Sequence, residues 1–293
     1  MKTQLKERTF LWIGGPRSQA AWLGGDAVKS AMFDMMSLGI GAHETRIMRT
    51  FRKIEGQIRD ATVQEDVKAL IGQEARHYRA HDPLNSDLVE ADPELRLYYE
   101  RLRRRHLKLA EENTYEAALA YLLMTEFSLG CMGRTMLSTD NFFDGADPNL
   151  AALWIYHAIE ELEHTRVSFD VVNDHFGDGA VPKLLKMSLR RVLGNEDGDV
   201  TRDFALQIKF TDRLRFMWIA DFVEALNTAS MRAIGIRDVW AYFMSEDCLL
   251  FRRSGGWYDL FDPKGWHPSQ RYEEDQRLID RWDDYLRSRG YLC

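Results

Sequence analysis

The chain has little of several things that would otherwise decide its class. It holds only three cysteines in 293 residues, Cys131, Cys248 and Cys293, and none lies in a C-x-x-C pair. That excludes a disulfide framework and a thiolate zinc site, and it fits a reducing, cytoplasmic setting. Only seven prolines occur, so few positions forbid a continuous helix. A long apolar run is missing too: the longest nearly uncharged stretch, Ala117 to Gly133, carries Glu126 near its middle. A central carboxylate is expensive in lipid, so the stretch reads as a buried helix and no transmembrane segment is expected. Near the start, Phe10 to Ile13 is a short apolar patch followed by Gly14, Gly15 and Pro16, too short for a signal-peptide core. Basic excess is also absent, with 39 basic against 46 acidic residues and a net charge of −7. General polyanion binding is therefore disfavoured. The Arg-rich run from Arg101 to Lys108 is interleaved with Leu102 and Leu107 and reads as a solvated helix face, so no nucleic-acid partner is expected.

What is present is a globular composition, 45% hydrophobic and 29% charged, able to bury a core. Apolar positions recur three and four apart nearly throughout, which predicts an all-α chain. Helices are expected near 28–60, 62–81, 94–112, 114–137, 148–175, 181–193, 201–234 and 271–288, broken at Asp82-Pro83, Asp92-Pro93, Asp144-Gly145 with Asp147-Pro148, and Gly177 with Gly179. Between 253 and 269 lies an aromatic loop packed with Gly and Pro. The organisation reads as an N-terminal segment (1–27), a helical bundle (28–179) and a C-terminal helical extension (180–293) packed on it.

Four of these helices carry an unexpected core-facing seam. Ile40, Glu44, Ile47, Phe51, Ile54 and Ile58 alternate four and three apart, so Glu44 stands where an apolar residue is expected. The next helix runs Val63, Val67, Leu70, Glu74, His77, His81, Leu84; a third runs Leu119, Leu122, Glu126, Leu129, Gly133, Met136. The fourth runs Leu150, Trp154, His157, Glu161, His164, Ser168, Val171. Burying one unpaired carboxylate costs several kcal/mol, so four in one bundle require a shared partner. A divalent metal pair is such a partner. One lone Glu on each of two helices plus a Glu-x-x-His on each of the other two is the inward ligand set of di-iron carboxylate bundles. Glu-x-x-His alone is a common pattern; its weight here comes from both copies falling on seams, each in a helix paired with one that carries a lone seam Glu, the two pairs being separated by 52 residues from Glu74 to Glu126.

The candidate metal ligands are thus Glu44, Glu74, His77, His81, Glu126, His157, Glu161 and His164. His81 and His157 share the seam and either complete a nitrogen-rich site or support it by hydrogen bonds. Glu160 and Glu163 fall off the seam and read as solvated or supporting residues, while His43 reads as surface or packing. Carboxylate with imidazole suits two iron ions, with manganese or zinc also compatible. His81-Asp82 superficially matches a phosphohydrolase dipeptide, a reading set aside because Pro83 is expected to end the helix there.

The stretches Gly72-Gln73-Glu74-Ala75-Arg76-His77 with His81, and Tyr156-His157-Ala158-Ile159-Glu160-Glu161-Leu162-Glu163-His164, resemble the signature segments of a bacterial family called predicted metal-dependent hydrolase, grouped with ferritin-like proteins. Trp266-His267-Pro268 is similar to that family's C-terminal element. The resemblance implies a ferritin-like four-helix bundle with additional C-terminal helices, in which Glu74 and Glu161 bridge the metals while Glu44, Glu126, His77 and His164 are terminal ligands. The chain departs from the family's pattern at 201–234, where Lys209, Asp212, Arg213, Arg215, Asp221 and Glu224 interrupt a usually more apolar segment.

Three functions suit this ligand set. The leading expectation is a di-iron oxidoreductase or monooxygenase that activates dioxygen to oxidise a small organic substrate, served by an electron donor. The alternative is a hydrolase using zinc, manganese or iron, and the third is an iron-binding protein with no organic substrate. A homodimer is compatible with each. The aromatics beyond residue 210, among them Trp218, Trp240 and Trp257, read either as a pocket wall or as packing of an added helical layer.

Overall fold

The computed structural model describes residues 5–14, 20–112, 114–177, 225, 228–245 and 271–293. Among these residues there is no strand, only an isolated antiparallel bridge between Phe10 and Leu292, and the fold is all-α. Five long helices come first: α1 (Ala27–Ile54), α2 (Ala61–Ala91), α3 (Pro93–Glu112), α4 (Tyr115–Ser138) and α5 (Pro148–Phe176). Three shorter ones follow, α6 (Ala229–Ile234), α7 (Ile236–Met244) and α8 (Tyr272–Ser288). The helices expected at 181–193 and across most of 201–234, and the loop at 253–269, lie outside the described residues. No helix among the described residues is long and apolar enough to cross a membrane.

The starts are encoded locally. Asp26, Asp60, Thr114 and Asp147 each turn a side-chain oxygen back onto the first free N–H groups of α1, α2, α4 and α5, which satisfies donors that a helix leaves open. Pro148 follows its cap at the position where a missing N–H costs nothing. Gly177 closes α5 at φ 83°, a left-handed conformation that glycine adopts freely.

One expected boundary is wrong. Pro83 does not end a helix, because α2 runs through it to Ala91. Beyond the proline, Leu84, Asn85 and Leu88 are buried, and their packing outweighs the ladder bond that a proline cannot make.

The order of apolar residues along the helices reveals the topology. One apolar cluster holds Met32 and Ile40 of α1, Leu84 and Leu88 of α2, Met132 and Met136 of α4, and Leu150 and Trp154 of α5. The other holds Ile47 and Phe51, Val67 and Leu70, Leu119 and Leu122, and Val167 and Val171 of the same four helices. Chain direction from the first cluster to the second is therefore shared by α1 and α5 and reversed in α2 and α4. The two parallel helices α2 and α4 stand diagonally across the bundle and are joined through α3. An antiparallel pair, one crossover and a second antiparallel pair is the order that fits a ferritin-like bundle. Glu44, Glu74, His77, Glu126, Glu161 and His164 lie between the two apolar clusters, and His81 and His157 lie within the first cluster beside them.

Candidate metal centre

Glu44 and Glu126 reach the centre because each sits one turn from buried apolar residues on both sides, Ile40 and Ile47 for the first and Leu122 and Leu129 for the second, while Glu74 and Glu161 share their stripes with the histidines. Glu44, Glu74, Glu126 and Glu161 are at most 1% exposed, and His77, His81, His157 and His164 are wholly buried. Two groups form around two imidazoles. His77 Nδ1 lies 3.5 Å from Glu44 Oε1, 3.8 Å from Glu74 Oε2 and 3.7 Å from Glu161 Oε1. His164 Nδ1 lies 3.1 Å from Glu74 Oε1, 3.5 Å from Glu126 Oε2 and 3.6 Å from Glu161 Oε2. Glu74 and Glu161 thus offer one oxygen to each group.

The donor set passes a direct test of fit. Both oxygens of all four seam acids, with Nδ1 of His77 and His164, are buried without a hydrogen-bond partner. Native proteins rarely leave such atoms unsatisfied, since each carries a desolvation cost of about 1–3 kcal/mol or more. Ligand atoms at about 2.1 Å from one ion sit roughly 3–3.5 Å apart, close to the separations observed. Glu74, His77, Glu161 and His164 form one group in which a ligand atom from each lies within 4.8 Å of the others; Glu44, His77 and His157 form another.

Residues 6–271 match the family model described as predicted metal-dependent hydrolase. The chain belongs to this metal-dependent hydrolase family. No curated protein and no solved structure matches it. The family's description is that of a predicted metal-dependent enzyme, and it favours hydrolysis over the oxygen chemistry expected from the ligand set.

In this member of the family, sequence and structure agree on which side chains gather. His157 joins the Glu44 side, with Nδ1 3.9 Å from Glu44 Oε1 and Nε2 3.2 Å from Glu161 Oε1. His81 stands slightly apart, its ring centroid 5.1 Å from that of His157. Its Nδ1 is 2.8 Å from Ser37 Oγ, and Ser37 donates to Asn85 Oδ1 at 2.7 Å. With its single hydrogen so used, Ser37 accepts from His81, which leaves the His81 lone pair on Nε2, buried and unpartnered.

Without metal, protons take over the balancing of charge. Burial pushes Glu44, Glu126 and Glu161 upward, and neighbouring acids add to the effect. His77 and His164 also move upward: burial works against their charge, but the surrounding carboxylates prevail and raise His77 to about 10. His81, buried and beside His77, drops to about 3. The centre therefore holds imidazolium against carboxylate until a cation replaces those protons.

Several residues around the site were not legible in the sequence. Of the two alternatives left open for Glu160 and Glu163, solvated or supporting, burial excludes the first: both are at most 1% exposed. His77 Nε2 lies 2.9 Å from Glu160 Oε2, and His164 Nε2 lies 3.2 Å from Gln73 Oε1. Gln73 adjoins Glu74, and Glu160 and Glu163 flank Glu161, so adjacency to a ligand was the available signal. Arg8, wholly buried, carried no signal at all. His43 is a packing residue that meets His106 at 4.1 Å between ring centroids. Asp170 pairs with Arg166, and Asp174 accepts from the backbone N–H groups of Arg59 and Asp60.

Proposed function

We propose that the chain is a hydrolase whose centre takes two divalent ions, one among Glu44, His77 and His157, the other among Glu126 and His164, with Glu74 and Glu161 shared. The observation that carries this reading is the division of the Glu74 and Glu161 oxygens between two imidazole-centred groups, within a family described as metal-dependent hydrolases. A bound pair would supply Lewis acidity to a polarised ester, amide or phosphate and lower the pKa of a reacting water. The protein's own part is to hold four acids and three imidazoles in a dry core that favours the metal over bulk water. Its apolar clusters above and below limit the reacting volume. His81 keeps an open Nε2 lone pair next to His157, on the Glu44 side of the centre.

The ligand set also suits two irons acting on dioxygen with an electron donor, and one experiment separates the readings. Protein loaded with zinc, manganese or ferrous iron is tested against ester, amide and phosphate panels without air. Hydrolysis under argon, lost on Glu161→Gln, is the expected result. The reading is overturned if every metal form is inert without air while the ferrous protein consumes oxygen.

A further inference from the structure

The two imidazoles are oriented from behind by one buried cation. Gln73 donates from Nε2 to Glu163 Oε2 and to Lys6 O, both at 2.9 Å. With its amide nitrogen so committed, its oxygen must face His164 Nε2 as an acceptor, so His164 carries its proton there and presents the Nδ1 lone pair to Glu74, Glu126 and Glu161. Glu160 stands behind His77 as an ion-pair partner, its Oε2 2.9 Å from Nε2 but outside hydrogen-bond alignment, so its charge favours a proton on Nε2 and leaves Nδ1 toward the acids. Behind both stands Arg8. Its Nη1 and Nη2 reach the two oxygens of Glu163 at 3.1 and 2.9 Å, and Nη1 lies 3.6 Å from Glu160 Oε1. Its Nε donates to Asp283 of α8 at 2.6 Å.

Arg8 holds this place through backbone pairing. Lys6 N donates to Glu163 Oε2, Leu11 N donates to Tyr291 O, and Cys293 N donates to Thr9 O. Phe10 stacks between Tyr156 and Tyr291. The N-terminal segment is thereby sewn to the C-terminal residues, and both close over the rear of the histidine supports.

We infer that Arg8 is a positioning residue for the metal centre, setting the orientation and tautomer of His77 through Glu160 and of His164 through Glu163 and Gln73. The inference rests on the two-metal reading above. A carboxylate or amide behind a ligating imidazole fixes its ring and raises its basicity, and losing such support costs about 10–100-fold in metal affinity. Removing the guanidinium leaves Glu160 and Glu163 buried without their cation, so both supports fail together. Losing Gln73 affects only His164.

Cobalt(II) titration followed by visible absorption tests this on the full chain, because the band pattern reports ligand geometry independently of turnover. Wild type is expected to bind two ions. Arg8→Met should weaken both by about 10–100-fold and shift the bands, Arg8→Lys should retain part of the affinity, and Gln73→Met should weaken one ion only. Asp26→Ala, which removes the α1 cap and leaves the supports intact, controls for stability: it should lower the melting temperature without moving the bands. If wild type binds two ions and folded Arg8→Met keeps wild-type affinity and spectrum, the positioning role is wrong. If Arg8→Met does not fold, Gln73→Met and Arg8→Lys decide. Wild type that binds no metal overturns the two-metal reading itself.

Discussion

Gly133 tests whether the centre depends on close approach of two helices. It lies on α4 against α5, and a Cβ added there would come 2.8 Å from Ala158 O, 3.2 Å from Ala158 Cα and 3.3 Å from its Cβ. Two of those atoms are backbone and cannot rotate away. Alanine gains about 1 kcal/mol over glycine in a helix interior, whereas overpacking of this kind costs about 1–3 kcal/mol. The clash prevails, and Gly133→Ala should lose about 1–2 kcal/mol net. Gly72 of α2 is the matched control, because its added Cβ meets only the Arg76 guanidinium, no nearer than 3.6 Å. Gly72→Ala should gain about 0.5–1 kcal/mol. Urea denaturation of the metal-free variants by linear extrapolation gives both signs. Because α4 carries Glu126 and Ala158 adjoins His157, Gly133→Ala should weaken metal binding as well, while Gly72→Ala should not. A Gly133→Ala protein as stabilised as Gly72→Ala would mean that α4 and α5 are not packed through this contact.

Three other outcomes follow from the same coordinates. Glu161→Gln should abolish uptake of both ions and Glu126→Gln of one, read by metal analysis after dialysis; equal losses would contradict the shared role of Glu161. Pro83→Ala should stabilise the metal-free protein by about 1–2 kcal/mol, since it restores a ladder bond and removes a ring clash that together exceed the entropy proline takes from the unfolded chain; a loss in denaturation would mean that the proline is required for the path of α2. His106, buried near Arg46 and Arg105, drops to about 3. Between its ordinary value and about 3 the unfolded chain binds the extra proton, so stability present at neutral pH is lost as pH falls through that window, by at most about 1.4 kcal/mol per pH unit. Denaturation of wild type and His106→Gln from pH 7 to 4 should show the shallower slope in the variant; parallel slopes would refute a neutral buried His106.

The seams were readable because a carboxylate that replaces Ile or Leu in a four-three alternation announces itself without any knowledge of its neighbours. Caps at Asp26, Asp60 and Asp147 are local for the same reason. Pro83 misled because its cost is local while the packing of Leu84 and Leu88 that overcomes it is not. The character of Glu160 was hidden because an off-seam acid ordinarily meets water, and only the N-terminal segment lying over α5 excludes it.

Sequence alone therefore determined the all-α class, the four interrupted seams and the acids and imidazoles that stand on them, since each is set by spacing within one helix. Tertiary structure alone decided which oxygen of Glu74 and Glu161 faces which imidazole, which ring nitrogen carries the proton, and that Arg8 stands behind both histidines. Arg8 meets Glu163 across 155 residues and Asp283 across 275. Contacts at such separation leave no periodic trace, because they depend on where helices end up in space and not on the pitch of any one of them.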